Sequence, residues 1–172
     1  MIHRYWEGGS PGYDVMSTAE LEDQQGVIVM EHTRETIPEW IADEPDVEEL
    51  RGSGPMHRAN LTRYWALQQW GGVWLDMDVT PTQVLPPGCW VAKFLRVEIS
   101  TMSFPDPGHP IFDALLADKH PIRYQSKYQS GSRAFEVEMD GHPDIGIMDG
   151  FYGRYATHLW WSSNRIRKYG RI

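Results

Sequence analysis

Residues 56–78 constrain this chain more than any other stretch. Between 56 and 70, Leu61, Tyr64, Trp65 and Gln68 fall on one helical stripe, while Asn60, Arg63, Leu67 and Trp70 share another. Gly71-Gly72 then stops the helix, since glycine suits a helix C-terminus. Val73-Trp74-Leu75 reads as a short buried strand, and Asp76-Met77-Asp78 stands at its exit. A helix that turns through two glycines into an apolar strand is a building unit of an α/β sheet. Side chains alternate along a strand, so acids at i and i+2 share a face and repel unless a cation lies between or beside them. Hard divalent ions such as Mg²⁺ and Mn²⁺ take oxygen donors and keep water or phosphate in their shell. The crevice beyond the carboxyl ends of strands is where open α/β sheets bind ligands. Taken alone, a D-x-D is equally compatible with a solvated turn.

The flanking sequence supports the same class. Residues 2–6 are expected to form a first strand and 27–30 a second, with a helix between them capped by Ser17 or Thr18 and stopped by Gly26. Residues 31–55, acidic and broken by Pro38, Pro45, Gly52, Gly54 and Pro55, read as loop with one short helical turn. Pro81, Pro86 and Pro87 confine the stretch after Asp78 to loop. Residues 89–94 and 97–104 read as paired strands, and 109–119 as a helix with Ile111, Leu115 and Leu116 inward. Alternation predicts strands over 134–139 and 145–148, and residues 155–161 read as a late aromatic strand or loop. The expectation is one α/β domain over 1–172, a single compact unit around a mostly parallel central sheet.

Charge and cysteine usage exclude several classes. Acids outnumber bases 24 to 16, for a net charge of −8, so the chain lacks the basic face that general nucleic-acid binding requires. Residues 165–172 hold Arg165, Arg167, Lys168 and Arg171 without an acid. This basic tail is either a solvated terminus or a patch for phosphate or a peripheral membrane contact. Cys89 is the sole cysteine, which rules out an intrachain disulfide and argues against a cysteine-based zinc site. No run reaches the ~18 apolar residues of a membrane span, and no signal region opens the sequence. A cytoplasmic location is the expectation.

The run from Arg58 to Val79 resembles the DXD-type sugar-binding glycosyltransferases, a family related to initiating mannosyltransferases, capsular-polysaccharide transferases and glucosylating toxins. Arg63, Tyr64, Gly71, Gly72, Asp76 and Asp78 fall on its signature, with Trp74 at the aromatic position. Weaker matches are Ile2-His3-Arg4-Tyr5-Trp6-Glu7-Gly8, Pro107-Gly108-His109-Pro110 and Tyr155-Ala156-Thr157-His158-Leu159-Trp160. Residues 10–55 and 120–150 match poorly.

The resemblance implies a GT-A fold and transfer of a hexosyl group from a UDP- or GDP-sugar to a glycan, lipid or protein acceptor, with retention. It implies Mn²⁺ or Mg²⁺ held by Asp78, with Asp76 on the cation's water, the ribose or the sugar, and His158 completing the metal shell or binding the diphosphate. Trp6 and Trp160 would border the donor, and Trp6 could stack on its base. His3 matches the first-strand pattern in a buried structural role. Arg63 has two readings, a grip on the donor or an ion pair with Asp76. Asn60 departs from the family, which has an Asp there that holds sugar hydroxyls. Asn still hydrogen-bonds but without charge, and this departure keeps open two alternatives to transfer: a degenerate module that binds nucleotide or glycan without turnover, and a nucleotide-sugar hydrolase.

Overall fold

The computed structural model describes residues 1–7, 15–43, 54–94, 96–117 and 131–158. Its main sheet has six strands in the order β2-β1-β3-β6-β5-β7. These are β1 (Ile2–Tyr5), β2 (Val29–His32), β3 (Gly72–Leu75), β5 (Trp90–Lys93), β6 (Val97–Phe104) and β7 (Gly146–Asp149). β1 is parallel to β2 and β3, and β5 is parallel to β7. β6 alone runs against its neighbours β3 and β5. The sheet is therefore mostly parallel, as the sequence suggests, with one reversed strand. A two-stranded ribbon pairs β4 (Val79–Pro81) with β8 (Ala156–His158). Pro81 is tolerated there because a ribbon edge needs no donor from it.

Both faces of the sheet are covered. One core gathers Tyr64, Leu67, Trp74, Met102, Phe104, Phe112 and Phe135 under the helices α3 (Gly54–Trp70), α4 (Pro110–Ala117) and α5 (Ser132–Met139). The other gathers Ile2, Leu21, Leu75, Trp90 and Phe151 under α1 (Thr18–Gln25), the ribbon and α6 (Phe151–Arg154). The short α2 (Glu39–Ala42) packs Ile41 into the first core. Strands buried on both faces explain why β3 and β5 read as continuous apolar runs.

Local sequence fixes the elements. Ser17 caps α1 in a reciprocal capping box with Glu20, and Gly26 ends it in the left-handed region at φ 67°. The second strand begins at Val29 rather than 27, since Ile2 aligns with Val29, and Ile28 stays exposed. The pair Gly71-Gly72 is required by space. Both have positive φ, and a Cβ would stand 2.7 Å from the Pro105 carbonyl oxygen at Gly71 and 2.6 Å from that of Met1 at Gly72. His3, fully buried, braces this turn through Nε2 to the Gly71 carbonyl at 2.9 Å.

One expected strand is a helix. Residues 132–139 form α5 because Phe135 and Met139, two alternate apolar positions apart, also stand one helical turn apart and pack inward together, leaving Val137 exposed. Among the described residues, no helix is long and apolar enough to cross a membrane.

Candidate active site

Asp76 and Asp78 sit just beyond β3, in a turn rather than on a strand face. The Val79 amide donates to the Asp76 carbonyl at 2.9 Å, closing residues 76–79 into a turn before β4. The Asp76 amide donates to the Ser100 carbonyl of β6 at 2.9 Å. The expected shared strand face is thus replaced by a turn, which aims the two carboxylates at different partners.

Asp76 is held from the helix side. Its Oδ1 accepts from Arg63 Nη2 at 2.6 Å and from Trp74 Nε1 at 2.7 Å. Arg63 is 3% exposed, lies over the Trp74 ring at 5.1 Å, and donates from Nη1 to Asn60 Oδ1 at 2.5 Å. Of the two readings for Arg63, the structure shows the ion pair with Asp76. Asn60, also buried, lies beneath Arg63 and supports it. An Asp at this position would share the guanidinium between two carboxylates, whereas Asn leaves Asp76 as the anionic partner of Arg63.

Asp78 faces His158. The β4–β8 ribbon sets Val79 opposite His158, which brings His158 Nε2 to 3.1 Å from Asp78 Oδ2 although 80 residues separate them in sequence. Tyr152 stacks on the His158 ring at 5.2 Å and holds its own hydroxyl 2.6 Å from Ser100 Oγ and 3.2 Å from Thr101 Oγ1. Burial alone would lower the His158 pKa. The hydrogen bond to Asp78 and the charges of Asp78, Asp76 and Glu98 outweigh it and raise the pKa above the usual histidine value. Burial also raises the Glu98 carboxyl, against the pull of Arg96 and His158. Three carboxylates, Asp78, Asp76 and Glu98, thus act on one imidazole, with Asp76 itself paired to Arg63.

A cavity of about 470 Å³ opens beside the turn. Trp6 and Glu7 border it from the end of β1, Thr33 and Arg34 from the end of β2, and Met77 from between the two acids. It therefore lies at the carboxyl edge of the parallel strands. The structure brings Asp76, Asp78, Arg63, Asn60 and His158 together and places Trp6 and Met77 on the same cavity. Trp160 and the basic tail lie outside the described residues.

Several residues escaped the sequence reading. Arg4, 1% exposed, donates from Nη2 to the Met77 carbonyl at 3.0 Å and from Nη1 to the Met16 carbonyl at 2.8 Å, which ties the acid turn to β1. Glu7 accepts a two-pronged ion pair from buried Arg58, at 2.6 and 2.7 Å, and a bond from the Tyr5 hydroxyl at 2.5 Å. These interactions hold the Glu7 carboxyl below its ordinary pKa. The alternation of β1 offered one signal: Arg4 at an inward position between apolar neighbours needs buried acceptors.

A divalent cation fits the donors at this site. Oδ2 of Asp78 and Nε2 of His158 are separated by the roughly 3 Å expected of neighbouring ligands on an ion of Mg²⁺ or Mn²⁺ size.

Comparison with known proteins bears on the fold and the family. Among solved structures, the PaToxG glycosyltransferase is similar with a TM-score of 0.58 and 11% identity, over 83% of this chain and 68% of that one. At that identity the likeness is one of fold. No curated protein matches the sequence. The family model described as "Glycosyltransferase sugar-binding region containing DXD motif" matches residues 5–94, more than half of the chain and the whole of the turn that carries the acid pair. The chain therefore belongs to the glycosyltransferases whose sugar-binding region contains the DXD motif.

Proposed function

We propose that this glycosyltransferase moves a hexosyl group from a nucleoside diphosphate sugar to a glycan, lipid or protein acceptor, using a divalent cation held by Asp78 and His158. The single observation that carries this reading is the 3.1 Å approach of His158 Nε2 to Asp78 Oδ2, one residue along the chain from Met77, which lines the strand-end cavity. When bound, the cation neutralises negative charge on the departing diphosphate.

The chain's own residues do the rest. The paired Arg63 and Trp74 donors fix Oδ1 of Asp76 and leave Oδ2 to accept from a donor hydroxyl or a metal-bound water. Trp6 borders the cavity as a platform for the nucleotide base. Arg4 and Asn60 are positioning residues, the first holding the Met77 carbonyl and the second holding Arg63. Retention of anomeric configuration is the reading that the resemblance to retaining transferases favours.

A thermal-shift panel of UDP, GDP and other nucleoside diphosphates, each with and without Mn²⁺, tests the donor site. A ligand at 100 times its Kd stabilises by roughly 2.7 kcal/mol, an upward shift of about 5–11 °C for a domain of this size. A rise with one nucleotide that requires Mn²⁺ supports the reading. The absence of a shift with every nucleotide tested would contradict it.

A further inference from the structure

A second group of chemically reactive side chains lies at the other edge of the sheet. Cys89 precedes β5, His109 precedes α4 and Asp144 precedes β7. β5 and β7 run in the same direction as β3, so their starting ends face away from the edge that carries Asp76 and Asp78. One ligand atom from each of Cys89, His109 and Asp144 lies within 4.8 Å of the others. His109 Nε2 is 2.9 Å from Asp144 Oδ2.

The backbone holds the three segments in register. The Gly146 amide donates to the Cys89 carbonyl at 3.0 Å, and the Ile145 amide to the His142 carbonyl at 3.2 Å, closing the turn that carries Asp144. The Phe104 and His109 rings meet edge to face at 4.9 Å, and the His142 ring lies 5.1 Å from that of His109. Cys89 is half-buried, the His109 side chain is 13% exposed and that of Asp144 61%. The group is walled by aromatic rings and open to water at the carboxylate, which gives an ion a path in.

We propose that Cys89, His109 and Asp144 form a site for a borderline-soft divalent ion, best matched by zinc, with a water as fourth ligand beside His142. One thiolate, one imidazole and one carboxylate make a donor set that zinc accepts in tetrahedral geometry and that Mg²⁺ does not favour. Binding releases the thiol proton of Cys89, because a ligating sulfur must be deprotonated, and moves the one proton of the neutral His109 ring off Nε2. That proton passes to Nδ1, the other tautomer, and the long 3.3 Å contact from the Ile111 amide to Nδ1 is given up. The ion clips together three segments, the starts of β5 and β7 and the turn into α4, and so strengthens the sheet edge away from the acid pair. Cys89 lacks a partner cysteine, but the fold supplies nitrogen and oxygen ligands from 20 and 55 residues further along the chain. This inference does not depend on the proposed donor chemistry.

Zinc is titrated calorimetrically into chelator-treated wild type, Asp78→Ala and Cys89→Ser, and cobalt(II) is followed by absorbance. Asp78→Ala should bind one equivalent of zinc, and wild type at least one. Their cobalt forms should show the intense near-ultraviolet band of a thiolate–cobalt bond. Cys89→Ser should lose that band and bind zinc at least about tenfold more weakly. A wild type that binds no zinc, or cobalt binding without the thiolate band, overturns the site even if Cys89→Ser fails to fold. Loss of zinc in Asp78→Ala would assign the ion to the acid pair and equally overturn it.

Discussion

Replacing Arg63 with methionine keeps much of the side chain's length and its packing over Trp74 while removing the guanidinium that joins Asn60 to Asp76. Asn60 is 5% exposed, so the lost hydrogen bond costs the buried Oδ1 about 1–3 kcal/mol. Asp76 is 32% exposed on its side chain, so water replaces much of its lost partner and its own share is below about 1 kcal/mol. Relief from burying a cation offsets part of both. The net loss is about 1–3 kcal/mol, which for a domain of this size lowers Tm by about 2–12 °C. Turnover should fall further, by about a hundredfold, because Asp76 keeps only the Trp74 donor and is no longer held in one pose. Arg63→Lys separates charge from geometry. A lysine restores the positive charge but cannot bridge Asn60 and Asp76 with a planar fork, so it should recover stability and leave turnover low. Donor turnover and thermal unfolding are measured on both variants. Arg63→Met within threefold of wild-type turnover, or full recovery by Arg63→Lys, would refute the claim that the fork positions Asp76.

Gly72→Ala should lower stability by at least about 2 kcal/mol, because its φ of 99° strains an L-residue and its Cβ would meet the Met1 carbonyl at 2.6 Å; an unchanged urea midpoint would contradict this. The buried pair His3 and His32, whose rings stack with Nδ1 of one 3.1 Å from Nε2 of the other, is pulled down to a pKa of about 4 at each ring, chiefly by burial. The unfolded chain takes up these protons near pH 6.5 while the folded one does not. Their contribution to stability is therefore complete above pH 6.5 and drains away as pH falls toward 4. Urea midpoints between pH 7 and 4.5 should drop less steeply in His32→Gln than in wild type, and identical slopes would show that the pair is not the cause.

How much was legible depended on the range of the interactions involved. The helix, the glycine pair and the strand of 56–75 were readable because periodicity, a left-handed stop and an apolar run are all local signals. Ser17 and Glu20 announced their helix for the same reason. Residues 132–139 misled because Phe135, Val137 and Met139 satisfy a period of two, and Phe135 with Met139 also satisfies a helical turn. Deciding between the two required α4 and β6, which the segment packs against. The acids' true setting was hidden likewise. The Val79–Asp76 turn is local, but Ser100, Tyr152 and the strand that delivers His158 are brought in by pairings across dozens of residues. Arg63 was recognisable as a site residue, yet its choice of Asp76 over a ligand followed only from its burial against the Trp74 ring.

The central claim is that Asp78, with His158 beside it, holds the divalent ion on which donor chemistry depends. The direct test is turnover of UDP- and GDP-sugars, with water or glycan as acceptor, by wild type and Asp78→Ala across a Mn²⁺ titration, alongside thermal unfolding of both proteins without metal. The account predicts an Asp78→Ala protein that folds as wild type does but has lost its Mn²⁺-dependent activity, since several kcal/mol of leaving-group stabilisation are gone. Equal Mn²⁺-dependent turnover in the two proteins would contradict it.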